Sequence, residues 1–143
     1  MVLRRGDPAN NGGEMSLISL FSGAGFLDLG FVESGFRVDW ASELVFEFAR
    51  TYMYNMELRY GEKHEMIVRD VQEIVDDLGN EDTIPRTDGV IGGPPCQDFS
   101  IGNASSPGVE GNRGKLVWAY LKMIEHIRPK FFLFENVEAI RST

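Results

Sequence analysis

The sequence predicts an α/β fold, a parallel sheet with helices on both faces, from three observations. Short apolar runs at 17–21, 36–41, 66–68, 88–91 and 131–134 alternate with longer segments of helical period. Glycine and proline mark the changes between them, at Gly23 and Gly25, Gly35, Gly92 and Gly93, and Pro129. The last apolar run ends close to the final residue, Thr143, so the sheet is expected to be incomplete at its C-terminal side.

Residues 1–15 are polar and carry a Gly-Asp-Pro turn and an Asn-Asn-Gly-Gly run, which reads as a flexible N-terminal tail. Residues 17–21 form a buried strand, and the glycine-punctuated stretch 22–25 leads into a short helix over 26–33 that stops at Gly35. A second strand at 36–41 precedes an amphipathic helix over 43–55, with Leu44, Phe48 and Tyr52 at helical spacing. A weak third strand at 66–68 runs into a helix opened by Asp70, where Glu73 at the third helical position completes a capping-box pattern. The fourth strand covers 88–91, a loop rich in Ser, Gly and Asn spans 97–112, and a helix over 113–128 is stopped by Pro129. Four apolar residues at 131–134 predict a fifth strand buried on both faces.

Composition narrows the function. At 43% hydrophobic and 25% charged residues the chain has the balance of an ordinary globular domain. No run approaches the roughly 18 apolar residues of a membrane span, and no apolar segment follows the N-terminal arginines as a secretion signal requires. The single cysteine excludes an internal disulfide, and no Cys/His spacing suggests a metal site, which points to a reducing, cytoplasmic setting. A net charge of −8 argues against nonspecific nucleic-acid binding by these residues alone, because phosphate neutralisation needs clustered Lys and Arg.

Cys96 is the most informative residue. It follows a strand, the Gly92-Gly93 break and two prolines, Pro94 and Pro95, and a polar loop comes after it. A free cysteine is usually a small buried hydrophobe, but rigid prolines before and a polar loop after make this thiol look aimed, as a nucleophile is. Glu135 and Asn136 emerge at the carboxyl end of the fifth strand, the ligand-binding side of such sheets. If the fourth and fifth strands are neighbours, thiol and carboxylate face one pocket. The glycines at 23 and 25 allow a tight turn and close backbone approach to a ligand, although the spacing departs from GxGxxG. Glu43 lies about 20 residues further on, where a carboxylate accepts hydrogen bonds from a ribose diol; an acid in a helix first turn is the plain alternative. Asp70 is open to both helix capping and ligand contact. The length of the 97–112 loop favours a functional lid, and Arg113 and Lys115 stand at its far end.

These residues together resemble the DNA (cytosine-5) methyltransferases. Leu20-Phe21-Ser22-Gly23-Ala24-Gly25 is similar to the family's first motif, Gly92-Gly93-Pro94-Pro95-Cys96-Gln97 to its nucleophile motif, and Phe134-Glu135-Asn136-Val137 to its glutamate motif. Arg113-Gly114-Lys115-Leu116 resembles the segment that opens the helix between them. The resemblance implies a Rossmann-like class I S-adenosylmethionine-dependent methyltransferase sheet, with residues 16–143 as its cofactor-binding and nucleophile-bearing part. It implies that Cys96 attacks C6 of a flipped cytosine in double-stranded DNA and that Glu135 holds N3, with Pro95 and Asn136 beside them. It also implies that S-adenosylmethionine is bound by Phe21, Ser22, Gly23, Ala24, Gly25, Phe26, Glu43, Leu44, Asp70, Val71, Pro94 and Leu116.

Family members continue for a further hundred residues or more, with a target-recognition domain and a last helix that completes the cofactor site. Their absence here implies a complementing C-terminal half or second subunit, and no turnover by the isolated chain. Restriction-modification is the expected setting, with no metal and no membrane. A non-catalytic S-adenosylmethionine-binding fragment and a tRNA cytosine-5 methyltransferase of the same family are the alternatives.

Overall fold

The computed structural model describes residues 14–61, 65–78, 84–95 and 114–136. The expectations about Cys96, Gln97, the 97–112 loop, Arg113, Val137 and the tail up to residue 13 fall outside them. β1 (Ser16–Leu20) is the central strand and is buried along its whole length. It pairs in parallel with β2 (Arg37–Glu43) on one side and with β4 (Gly89–Gly92) on the other. β3 (Met66–Val68) adds beyond β2 and β5 (Phe131–Phe134) beyond β4, giving the order β3-β2-β1-β4-β5 with every pairing parallel.

Alternation along β1 divides the core between the two faces of the sheet. Ile18 and Leu20 point toward α3 (Val71–Asp76) and α4 (Gly114–Ile127), where Val71, Ile74, Val75, Tyr120 and Met123 cluster with them. Leu17 points the other way, to a cluster with Val38, Tyr52, Met56 and Ile91 under α1 (Phe26–Glu33) and α2 (Phe46–Tyr60). Each fully buried side chain of this kind stabilises the fold by about 1.5–3 kcal/mol. Helices therefore cover both faces, as the sequence predicts. Among the described residues no helix is long and apolar enough to cross a membrane.

Two sequence expectations need correction. The helix expected over 43–55 runs from Phe46 to Tyr60, and residues 41–43 stay in β2 because they pair with 66–68 of β3. Its buried stripe is Ala49, Tyr52 and Met56; Leu44 and Phe48, expected beside Tyr52, are 61% and 52% exposed. The second correction concerns β5, expected to be buried on both faces. Phe132 is 55% and Leu133 36% exposed, because β5 is the outermost strand on that side among the described residues.

Candidate active site

A parallel sheet delivers the C-terminal end of every strand to one edge, and here the strand order reverses between β1 and β4. A crevice forms at such a reversal. Residues 21–25, 43–45, 69–70, 93–95 and 135–136, which leave the five strands, therefore line one edge of the sheet.

The β1 exit is a tightly held turn. Phe21 takes a left-handed backbone (φ 55°), a conformation that costs a non-glycine residue about 1–3 kcal/mol. Both the amide and the hydroxyl of Ser22 donate to the Ser42 carbonyl, each at 3.1 Å. The Gly23 amide donates to Glu43 Oε2 at 2.8 Å, and the other carboxylate oxygen accepts from the Val45 amide at 2.9 Å. Glu43 is thus the last residue of β2, only 9% exposed, and joined directly to the glycine turn. A carboxylate offers about four lone-pair positions, so two backbone donors leave room for hydroxyl donors from a ligand. Nothing lies within 4 Å of where a Cβ on Gly23 would stand, so the backbone there is open to close approach. Phe26, 78% exposed, and Leu44 supply apolar surface at the ends of this turn and of β2.

The exits of β4 and β5 are tied to each other. The Glu135 amide donates to the Gly92 carbonyl at 2.9 Å, and Asn136 Nδ2 donates to the Pro94 carbonyl at 3.2 Å. A Cβ on Gly93 would come 2.8 Å from Glu135 Oε2, so the carboxylate lies directly over this backbone. Glycine is needed at 92 as well, where a Cβ would collide with the Leu20 carbonyl of β1. Tyr120 of α4 secures the pair from below: its hydroxyl lies 2.7 Å from the Leu133 carbonyl and 3.2 Å from that of Val90. Burial pushes the ionisation of this phenol well up, which keeps it a donor. Pro94 is buried and Pro95 exposed, and Cys96 follows next in the chain.

The remaining expected residues are placed less centrally. Asp70 caps α3, accepting the Gln72 amide at 2.8 Å. The other half of the expected capping box is redirected, since Glu73 pairs with Arg69 at 3.4 Å. Val71 packs in the core at 3% exposure, and Leu116 sits half-buried near the start of α4.

Sequence reasoning missed a buried polar group behind the glycine turn. Asp28 of α1 is wholly buried; Oδ2 accepts the Ser19 hydroxyl at 2.9 Å and Oδ1 the Tyr52 hydroxyl at 3.0 Å. Burial pushes its carboxyl up to about 6, with the two hydroxyl bonds acting in the opposite direction. One signal was available: a serine in the central strand and an aspartate within the apolar α1 sequence FLDLGFVE imply a shared polar contact across that face.

A type II methyltransferase of Fusobacterium nucleatum, M.FnuDI, is 42% identical over 128 residues, covering 90% of this chain and 34% of the relative. The DNA (cytosine-5-)-methyltransferase M.ApeKI of Aeropyrum pernix is 39% identical over 138 residues, covering 89% of this chain and 29% of the relative. A crystal structure described as a prophage-encoded DNA modification methyltransferase of E. coli superposes with a TM-score of 0.67 at 32% identity, over 89% of this chain and 33% of that one. The chain spans about a third of the length of the curated relatives it matches. Residues 15–143 match the family of C-5 cytosine-specific DNA methylases, and the chain belongs to that family.

Proposed function

We propose that these residues are the methyl-donor-binding and nucleophile-bearing portion of a DNA cytosine-5 methyltransferase. One observation carries the reading: Glu135 lies over Gly93 while Asn136 holds the Pro94 carbonyl, so the carboxylate stands at the root of the segment that continues into Pro95 and Cys96. S-adenosylmethionine, the methyl donor of the family, supplies an electrophilic methyl group when bound. The residues present fit it: the open Gly23 backbone suits its methionine part, Glu43 its ribose hydroxyls, and Phe21, Phe26 and Leu44 its adenine surroundings.

In the proposed reaction the Cys96 thiolate adds to C6 of the target cytosine, and the electron pair of the 5,6 double bond moves to C5. Glu135 holds N3 through a hydrogen bond or proton, stabilising the charge that develops on the ring. C5 then takes the methyl group, loses its proton to a base, and the returning electron pair expels the Cys96 sulfur. A cytosine inside a duplex is out of reach, so the base is flipped out before attack. Target reading is assigned to a further C-terminal part or a second subunit. The net charge of −8 fits that division, since contacts to phosphate call for Lys and Arg carried elsewhere.

The test is covalent trapping. The chain replaces the matching segment of the Fusobacterium nucleatum relative, and the graft is incubated with S-adenosylmethionine and a pool of random-sequence duplexes containing 5-fluorocytosine. Fluorine at C5 blocks the final elimination, so a competent enzyme stays attached and shows the added mass. An adduct is expected, absent from Cys96→Ala and formed at least about 100-fold more slowly by Glu135→Gln. The 143-residue chain alone is expected to form none. A folded graft that binds S-adenosylmethionine and DNA without forming the adduct would refute the reading.

A further inference from the structure

The glycine turn is gripped from behind by a helix that carries none of the expected site residues. Tyr52 and Asn55 stand one turn apart on α2. Asn55 Nδ2 donates to the Ala24 carbonyl at 2.9 Å. The Tyr52 ring closes the space under Gly25, where a Cβ would come 2.8 Å from Cδ2; Gly25 is left-handed (φ 88°) and buried. The Tyr52 hydroxyl is anchored in turn on Asp28 of α1, whose second oxygen takes the Ser19 hydroxyl of β1. We propose that Asp28, Tyr52 and Asn55 are positioning residues for the donor-binding turn: they form a brace from β1 through α1 and α2 that fixes Ala24 and Gly25, and so aims the Gly23 amide and Glu43.

Three features of the structure support this. An aspartate buried with hydroxyl partners is an expensive way to fill a core position, because taking a carboxylate out of water costs several kcal/mol that apolar packing would not. The brace completes the hold on the turn: Ser42 takes the amide and hydroxyl of Ser22, Glu43 the amide of Gly23, Asn55 the carbonyl of Ala24, and Tyr52 lies under Gly25. Finally, the turn includes the left-handed Phe21, a conformation that in a non-glycine residue persists only when its surroundings over-determine it.

The brace itself does not require the donor; its use for donor binding rests on the function proposed above. The test therefore reads the ligand-free chain first. Backbone 15N relaxation is measured on the wild type and on three variants that keep shape: Tyr52→Phe, which removes a donor, Asn55→Asp, which replaces a donor by a charged acceptor, and Asp28→Asn, which removes a charge. In the wild type residues 22–25 should be as ordered as β1, with order parameters near about 0.85. Each variant should lower them at 22–25 toward about 0.6 while leaving Ile18 and Leu20 unchanged. S-adenosylhomocysteine binding, measured by calorimetry, should weaken threefold to tenfold in each. Order parameters unchanged at 22–25 in both Tyr52→Phe and Asn55→Asp, or falling equally in β1, would overturn the brace. Loosened turns with undiminished affinity would overturn its role in donor binding, and a folded wild type that binds no S-adenosylhomocysteine would instead sink the donor-site reading while the relaxation data still decide the brace.

Discussion

At Asp28 burial and hydrogen bonding pull in opposite directions, and burial wins, pushing the carboxyl up to about 6. An acid whose value is higher folded than unfolded binds its proton more tightly in the native chain. Ionising it opposes folding, an effect absent below about pH 4 and complete above about pH 6. A shift of about two units corresponds to at most about 3 kcal/mol. The stability of the wild type relative to Asp28→Asn should therefore fall as pH rises from about 4 to 6 and stay level beyond. Urea denaturation of both proteins across that range checks this, and a difference that stays flat would show that Asp28 keeps an ordinary carboxyl. Residue-scale chemistry also explains what the sequence displayed and what it hid. Cys96, Glu135 and the glycine turn stand out as unusual residue types at strand ends. Asp28, Tyr52 and Asn55 look ordinary until three elements converge, because their meaning lies in contacts 24 and 31 residues apart.

Among the elements, strand limits were legible wherever a polar break meets an apolar run, as at 66–68 and 131–134. The start of α2 was not. Leu44, Phe48 and Tyr52 have helical spacing, yet only Tyr52 is buried, and β-pairing holds Glu43 in the strand. Hydrophobic periodicity cannot by itself separate a core stripe from apolar side chains left exposed. The cap of α3 was legible, and Asp70→Ala should cost about 1 kcal/mol while Asp70→Asn costs a few tenths. Thermal or urea melting separates the two, and equal losses would mean that the side chain acts through charge rather than through its bond to the Gln72 amide. At the β1–β4 junction the packing allows no substituent: Gly92→Ala drives a methyl group into the Leu20 carbonyl. It is expected to destabilise the chain by at least about 2 kcal/mol, as overpacking does, and to weaken donor binding with it. An unchanged urea midpoint would contradict that tight approach.

For the molecule as a whole, parallel pairing and the reversal of strand order do most of the functional work. They bring residues separated by more than a hundred positions to one edge of the sheet, where Gly23 meets Glu43 and Gly93 meets Glu135. In the proposed division, donor binding and the nucleophile fall to these residues and the reading of DNA to others. On that proposal the glycine turn and Glu43 carry enough of the donor site for binding to be measured on this chain, even without the helix that completes it. The most direct measurement is a calorimetric titration of S-adenosylmethionine into the 143-residue protein, its Glu43→Ala variant and its Cys96→Ala variant. Saturable binding at one site per chain is expected, unchanged by Cys96→Ala and at least about tenfold weaker in Glu43→Ala, in line with the loss of charge-assisted hydrogen bonds. A folded wild type with no saturable binding, or a Glu43→Ala variant that binds equally well, would contradict the account.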